Sequence, residues 1–167
     1  GAHRPTAPIN RPHLRKGTKA MPIYQCLSAP GVVTDELKPR IAEEITRLHC
    51  EATKAPPSFV HVLFQELTAG AHYLGGQLDT TATWINGLIR AGRPLAVRQQ
   101  MMKNIVQSWT NLTGQPADQL LVNLHETDAS MAMEAGIILP QPGHEAEWFD
   151  EHRAQLGRLA PAGVQGL

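Results

Sequence analysis

Apolar and polar positions along the chain predict a strand, a helix and a second strand from residue 22 onward. The apolar run 22–28 is followed by a Pro-Gly turn signal and predicts the first strand. A helix follows, with Thr34 as its N-cap and with Pro39 confined to its first turn, where a proline is tolerated. Its apolar face is predicted to hold Leu37, Ile41, Ile45 and Leu48. Segment 59–66 is rich in β-forming residues and predicts a second strand, which completes a βαβ unit.

The same order of elements recurs in the second half of the chain. One strand is predicted near 82–89 and another over 120–126. The helix between them ends at Gly114 and Pro116, which cannot continue it. Its apolar stripe is predicted to be Met102, Ile105, Trp109 and Leu112. The second half is therefore expected to be another βαβ unit.

The last strands of the two halves share a sequence pattern. Val62-x-Phe64-x-Glu66 recurs sixty residues later as Val122-x-Leu124-x-Glu126, and the same shift moves Pro22 onto Ala82. This pattern indicates an internal duplication in which only the first copy begins with a proline. We expect an α+β fold in which two fused βαβ units form a four-stranded sheet with both helices on one face. The uncovered face predicts a homo-oligomer.

Composition narrows the class of protein. Of the 167 residues, 42% are hydrophobic and 18% are charged, and no apolar run approaches the roughly 18 residues of a membrane span. Cys26 and Cys50 form no C-x-x-C pair and are too few for a disulfide framework. We therefore expect a cytoplasmic protein without membrane contact.

The motifs of cofactor and metal sites are incomplete. Gly75-Gly76 fits neither of the common phosphate-binding glycine patterns. His125-Glu126 and His144-Glu145 lack the paired histidines of a zinc helix. We expect no cofactor, no metal ion and no nucleic-acid partner.

Positive charge is concentrated at the start of the chain. Residues 1–21 hold five of the fifteen lysines and arginines, no acidic residue and no regular periodicity. Three origins are open: upstream or non-native sequence before a start at Met21, a genuine basic arm, or a targeting segment. The predicted organisation is an extension over 1–21, a folded domain over 22–150 and a tail over 151–167.

Several motifs together resemble one family. They are the Met21-Pro22 start, His49, Arg90-Ala-Gly-Arg93, Met133-Glu134-Ala-Gly136 and the segment 139–149. From residue 22 to about residue 150, the chain is similar to the cis-3-chloroacrylic acid dehalogenase group of the tautomerase superfamily. The resemblance implies a fold of fused βαβ pairs, in agreement with the duplication, and assembly into a homotrimer.

The resemblance also implies a role for each matching residue. Pro22 is the catalytic secondary amine, Arg90 and Arg93 hold the carboxylate of a small substrate, and His49 assists them. Glu134 orients or activates a water molecule.

One position departs from the family pattern. Asn123 stands where the family has a tyrosine that shares this water with the glutamate. An amide can bind water, but it has no phenolic proton and fills less of the pocket.

The residue types support this chemistry by themselves. The pKa of an α-amino group is about 8. Burial or a neighbouring arginine would favour the neutral, basic form of the Pro22 nitrogen. A nearby carboxylate such as Glu134 favours the protonated acid instead. Arg90 and Arg93 offer planar donor forks that fit a small carboxylate. In the chain as written, Met21 acylates Pro22, so the proposed chemistry requires a chain that begins at Pro22.

Three functions remain open. The chain is either a hydratase or dehalogenase in which Pro22 is the general acid, or a keto–enol tautomerase in which Pro22 is the general base. The third is a non-catalytic relative with a blocked Pro22, whose basic arm serves a partner.

Overall fold

The structure is a computed structural model that describes residues 22–159, so the predicted extension over 1–21 lies outside the described residues. Every strand and helix predicted from the sequence is present. In chain order the elements are β1 (Ile23–Ser28), α1 (Leu37–Thr53), β2 (His61–Glu66), β3 (Tyr73–Leu74), β4 (Gln77–Leu78), β5 (Thr83–Arg90), α2 (Leu95–Thr113), β6 (Leu120–Thr127), β7 (Met133–Glu134), β8 (Ile137–Ile138) and α3 (Glu145–Leu156).

The main sheet has four strands in the order β2-β1-β5-β6. Each outer strand runs parallel to its inner neighbour, whereas the inner strands β1 and β5 are antiparallel. Two βαβ units thus meet at the centre of one sheet, which confirms the predicted α+β fold. Because the inner strands run in opposite directions, the start of β1 lies beside the end of β5.

Both long helices pack on one face of the sheet. Side chains from β1, β5, α1 and α2 form the core, which includes Tyr24, Ile41, Ile85 and Trp109. On the opposite face Leu63, Trp84 and Leu121 remain 50%, 48% and 55% exposed. Alternation along the strands explains the difference, since neighbouring residues point to opposite faces. The uncovered face therefore exposes large apolar side chains in this single chain.

Two details of the helices differ from the sequence prediction. The side chain of Thr34 does not cap α1; instead its carbonyl oxygen accepts hydrogen bonds from the amides of Leu37 and Lys38. Pro39 is the third residue of α1 and so lies in the first turn, as predicted. In α2 the buried methionine is Met101, not Met102. A spacing of four residues joins Met101, Ile105 and Trp109 on one face.

The strand register corrects the equivalence of the two units. Tyr24 pairs with Val62, and Ile85 pairs with Val122. When Val62 is matched to Val122, sixty residues later, Tyr24 is matched to Ile85, which lies sixty-one residues later. The shifts differ because the segment that joins the two strands is one residue shorter in the second unit. The counterpart of Pro22 is Thr83 rather than Ala82.

A short hairpin follows each unit. The turn between β3 and β4 is Gly75-Gly76, with φ of 59° and 81°, and the turn between β7 and β8 is Ala135-Gly136, with φ of 51° and 78°. Positive φ at both central residues is the geometry that a two-residue hairpin needs. The duplication thus extends to residue 138.

The helix α3 closes a second, smaller core. Phe59, Leu139, Trp148 and Leu156 are buried there, and Trp148 donates a hydrogen bond to the carbonyl oxygen of Ile138 at 2.9 Å. The predicted domain end at residue 150 falls inside α3, which continues to Leu156.

Candidate active site

The sheet topology brings Pro22 to the end of β5. Its ring is less than 2% exposed, and its carbonyl oxygen accepts a hydrogen bond from the amide of His61 at 2.9 Å. The last residue of β5 is Arg90, and Arg93 follows in the loop before α2. We call this side of the molecule, defined by Pro22, His49, Arg90 and Arg93, the Pro22 edge.

Arg90 is held by the segment before α3. Its side chain is 1% exposed and forms an ion pair with the carboxylate of Glu145. Its other terminal nitrogen donates to the carbonyl oxygen of Pro140 at 2.6 Å. The second oxygen of Glu145 accepts from the amide of Gly143 at 3.0 Å. Arg90 therefore ties this segment to the end of the sheet.

Arg93 shares the same electrostatic environment. It is 8% exposed. Burial, together with the charge of Arg90, lowers the pKa of Arg93 to about 10, whereas Glu145 and Glu126 act in the opposite direction. A carboxylate oxygen of Glu126 lies 3.4 Å from Nε of Arg98. The arginines of this edge thus form one cluster with buried or half-buried carboxylates.

His49 lies next to this cluster and bonds to Tyr24. Its Nδ1 atom is 2.8 Å from the Tyr24 hydroxyl, and both residues are buried. Burial, followed by the charge of Arg93, lowers the pKa of His49 to about 3, so its imidazole is neutral at pH 7. Burial also raises the pKa of Tyr24, which keeps its phenol protonated.

Glu134 reaches the Pro22 edge through β2. One carboxylate oxygen lies 2.8 Å from Nε2 of His61, and the Glu134 side chain is only 10% exposed. The backbone of His61 pairs with Ile23, the residue after Pro22. The structure therefore brings Glu134 to the strand start that carries the proline.

Asn123 lies apart from these residues within the chain. It pairs with Asn86 on the sheet face that the helices leave uncovered. Arg90 pairs with Thr127, four residues further along β6, which corresponds to about 13 Å. The structure gathers the other five predicted residues but not Asn123.

Four of the predicted site residues carry a buried polar atom without a partner among the described residues. Eight such side-chain atoms occur in the described part of the chain. Half of them belong to predicted site residues: His49 Nε2, Arg90 Nε, Asn123 Oδ1 and Glu134 Oε2. Each buried group without a partner costs about 1–3 kcal/mol, so such atoms need a functional or structural explanation.

Tyr24 and Glu145 were missed by sequence reasoning. Tyr24 is two residues after Pro22 and so shares its face of β1, a signal that strand alternation could have supplied. Glu145 lies in the segment 139–149 that carries the family resemblance, but the sequence assigns it no role. Its ion pair with Arg90 joins positions 55 residues apart, which no local pattern reveals.

Between residues 22 and 159, no group of three or more potential ligands could hold a metal ion. In the same range, no helix combines the length and apolar character needed to cross a membrane.

The fold of two fused βαβ units, with a proline at the start of the first strand, defines the chain as a tautomerase-superfamily protein. The family described as putative oxalocrotonate tautomerase enzyme matches residues 21–153, and the chain belongs to this family. No curated protein matches the chain.

Solved structures support the assignment. The native structure of a protein called Ps01740 is 38% identical, covers 67% of this chain and 99% of its own, and has a TM-score of 0.65. N1, a member of the cis-3-chloroacrylic acid dehalogenase family, is 28% identical over 81% of this chain and 97% of its own, with a TM-score of 0.74. The symmetric trimer of a fused 4-OT is 16% identical, covers 70% of this chain and 94% of its own, and has a TM-score of 0.64. This likeness shows similarity of fold alone.

Proposed function

We propose that the chain, when it begins at Pro22, is an enzyme that adds water to a small unsaturated monocarboxylic acid. The acid is a three-carbon acrylate, and a 3-haloacrylate would lose its halide after hydration. The observation that supports this most is the buried arginine pair at the Pro22 edge, with Glu145 against Arg90.

Charge at the Pro22 edge favours one carboxylate in the substrate. Arg90 and Arg93 bring two positive charges, and the buried Glu145 offsets one of them. Glu126 and Arg98 balance each other at 3.4 Å, and His49 is neutral. Protonated Pro22 and the Glu134 carboxylate add one charge of each sign, so these groups together carry one net positive charge in a desolvated region. A monoanion balances it, whereas a dianion leaves an excess.

The residues then divide the work as follows. Arg90 and Arg93, with His49, hold the carboxylate. Glu134, whose second oxygen has no partner among the described residues, positions water for attack at C3. Protonated Pro22 gives its proton to C2 as the oxygen–carbon bond forms. This step needs a secondary amine at Pro22, which the amide bond to Met21 does not provide.

A keto–enol tautomerase is the second candidate. Arg90 ends β5 beside the start of β1, and its positive charge favours a neutral Pro22 nitrogen, which suits a base that moves a proton on a 2-keto acid. The carboxylate of Glu134 acts in the opposite direction, towards an ammonium. If the arginine charge has the larger effect on the Pro22 nitrogen, tautomerisation is favoured; if the Glu134 carboxylate has the larger effect, hydration is favoured.

We also propose that the chain assembles with copies of itself, as a trimer. Leu63, Trp84 and Leu121 are about half exposed on one sheet face, and such exposed apolar side chains are typical of a surface that is covered in an oligomer. Asn123 lies on this face, so we assign it to the active site of a neighbouring copy.

Turnover by a chain that begins at Pro22 tests the proposal. We expect it to consume a 3-haloacrylate or propiolate faster than phenylpyruvate enol, and Glu134→Gln to lower that rate at least about 100-fold. The matched control is Glu147→Gln, which changes a side chain that is 87% exposed in α3. Faster turnover of the enol, with little effect of Glu134→Gln, supports the tautomerase. Absence of both activities supports the non-catalytic relative.

A further inference from the structure

Tyr24 and His49 form a buried pair behind the Pro22 edge. The Tyr24 hydroxyl lies 2.8 Å from Nδ1 of His49, and the two residues are 0% and 1% exposed. Their rings meet edge to face, with centroids 5.8 Å apart. The second ring nitrogen of His49, Nε2, is buried and has no hydrogen-bond partner within residues 22–159.

The number of available protons decides which group donates. If the Tyr24 hydroxyl donates to Nδ1, the proton of a neutral imidazole lies on Nε2, and one donor is left without a partner. If Nδ1 donates instead, both the phenolic proton and the Nε2 lone pair are left without partners in a buried place. The first arrangement leaves fewer buried groups unsatisfied and is therefore favoured.

We propose that Tyr24 is a positioning residue that fixes His49 with its proton on Nε2, and so supplies a neutral N–H donor for the substrate carboxylate beside Arg93. This inference rests on the proposed function for the identity of the ligand. The tautomer itself is a property of the folded protein and can be measured without substrate.

The packing around Tyr24 fixes the position of its hydroxyl. Gly87 faces the Tyr24 ring from β5, and a Cβ atom at this position would lie 2.9 Å from Cε1 of Tyr24 and 2.5 Å from Cδ2 of Leu124. Both contacts are too short, so only glycine leaves room for the ring here. The absence of a side chain at Gly87 thus leaves room for the Tyr24 ring, whose hydroxyl reaches His49.

A neutral donor suits the charge of this site. Burial, and then Arg93, lower the pKa of His49 to about 3, so the imidazole adds no third positive charge beside the two arginines. An N–H group still binds a carboxylate oxygen by a directed hydrogen bond. Tyr24 therefore sets the direction of the hydrogen bond from His49, and the arginines supply the charge that attracts the carboxylate.

The test is the tautomer of His49 in the full chain, measured by two-bond nitrogen–proton correlation NMR. His49→Gln identifies its signals among the eight histidines. We expect the wild type to carry the proton on Nε2 and Tyr24→Phe to shift the population towards Nδ1. In a chain that begins at Pro22, Tyr24→Phe is expected to raise KM for the carboxylate about tenfold and to change kcat less.

Tyr73→Phe is the matched control, because the only other tyrosine is 61% exposed in the β3–β4 hairpin. It should change neither the tautomer nor KM. A wild-type proton on Nδ1, or the same tautomer in Tyr24→Phe and wild type, overturns the proposal. If no carboxylate is turned over, the proposed function fails, and the tautomer measurement still decides the role of Tyr24.

Discussion

His49 and Trp109 occupy equivalent places in the two βαβ units. Each lies four residues before a threonine near the end of its helix, Thr53 or Thr113, whose hydroxyl donates to its carbonyl oxygen at 2.8 Å. Each helix then stops at a left-handed residue. The backbone at the two helix ends is thus alike, whereas the side chains at these equivalent places differ.

The two side chains meet different surroundings. Trp109 donates its ring N–H to Gln115 at 2.8 Å, and Gln115 donates to the carbonyl oxygen of Thr81 at 2.6 Å. This chain of hydrogen bonds is complete within the fold. His49 bonds to Tyr24 but leaves Nε2 without a partner in the described residues. The ring N–H of Trp109 is thus satisfied within the fold, whereas His49 keeps one buried ring nitrogen without a partner among the described residues.

Charge follows the same division. The strand register makes Ala29 of the first unit the counterpart of Arg90 in the second unit. Residues 29–39 contain no arginine, so the first unit has no counterpart of Arg93 either. Pro22 corresponds to Thr83, which cannot become an amino-terminal amine within the chain. Duplication therefore built two equivalent ends, and we propose chemistry at only one of them.

The largest expected effect concerns Trp109. Trp109→Ala removes a core side chain that is 2% exposed, and it should lower the free energy of unfolding by about 4 kcal/mol. His49→Gln keeps a polar side chain of similar size and should cost about 1 kcal/mol. Urea unfolding measures both. Equal losses would mean that His49 is a packing residue like its counterpart.

Glu145→Gln is expected to have the next largest effect. It leaves the charge of Arg90 buried without its ion pair, which should cost about 3 kcal/mol in the same unfolding measurement. It should also raise kcat/KM for a dicarboxylate relative to a monocarboxylate, because the cluster gains a positive charge. Glu147→Gln is the exposed control. A loss below about 1 kcal/mol would contradict the burial of this pair.

A smaller effect is expected from pH. The pKa of His49 is about 3 in the fold, below its ordinary value of 6.5, so the unfolded chain binds a proton that the folded chain does not. Stability from the neutral histidine is complete above pH 6.5 and is lost as pH falls towards 3. The loss is at most about 1.4 kcal/mol per pH unit.

His49→Gln should remove this slope between pH 6 and pH 4, as measured by urea unfolding at several pH values, while His144→Gln should keep it. His144 is the control because its side chain is 69% exposed. An unchanged slope in His49→Gln would mean that the imidazole is protonated in the fold.

The sequence was sufficient for the fold because the duplication is visible in it. The repeated Val-x-x-x-Glu spacing of β2 and β6 predicts two βαβ units, and strand alternation predicts the uncovered face. The sixty-residue shift that relates β2 to β6 gave the wrong counterpart for Pro22, because the segment between the paired strands is one residue shorter in the second unit. The adjacent Met101 and Met102 made the phase of α2 ambiguous, because one residue changes the buried side by about 100°.

The candidate site was harder to predict. His49, Arg90 and Arg93 were recognised by resemblance, but the partner of Arg90 was not, because an ion pair across 55 residues leaves no local signal. Tyr24 was hidden in an apolar strand run, where a tyrosine is ordinarily a core residue. Its hydroxyl gains significance only from its contact with His49.

The central claim is that Pro22 carries the chemistry of one end of the sheet. Incubation with 2-oxo-3-pentynoate, an electrophilic keto acid, followed by peptide mass spectrometry tests it most directly. The account predicts a single adduct on the peptide that begins at Pro22, and none on that proline when Met21 is retained. An adduct elsewhere, or equal labelling of both chains, would contradict the account.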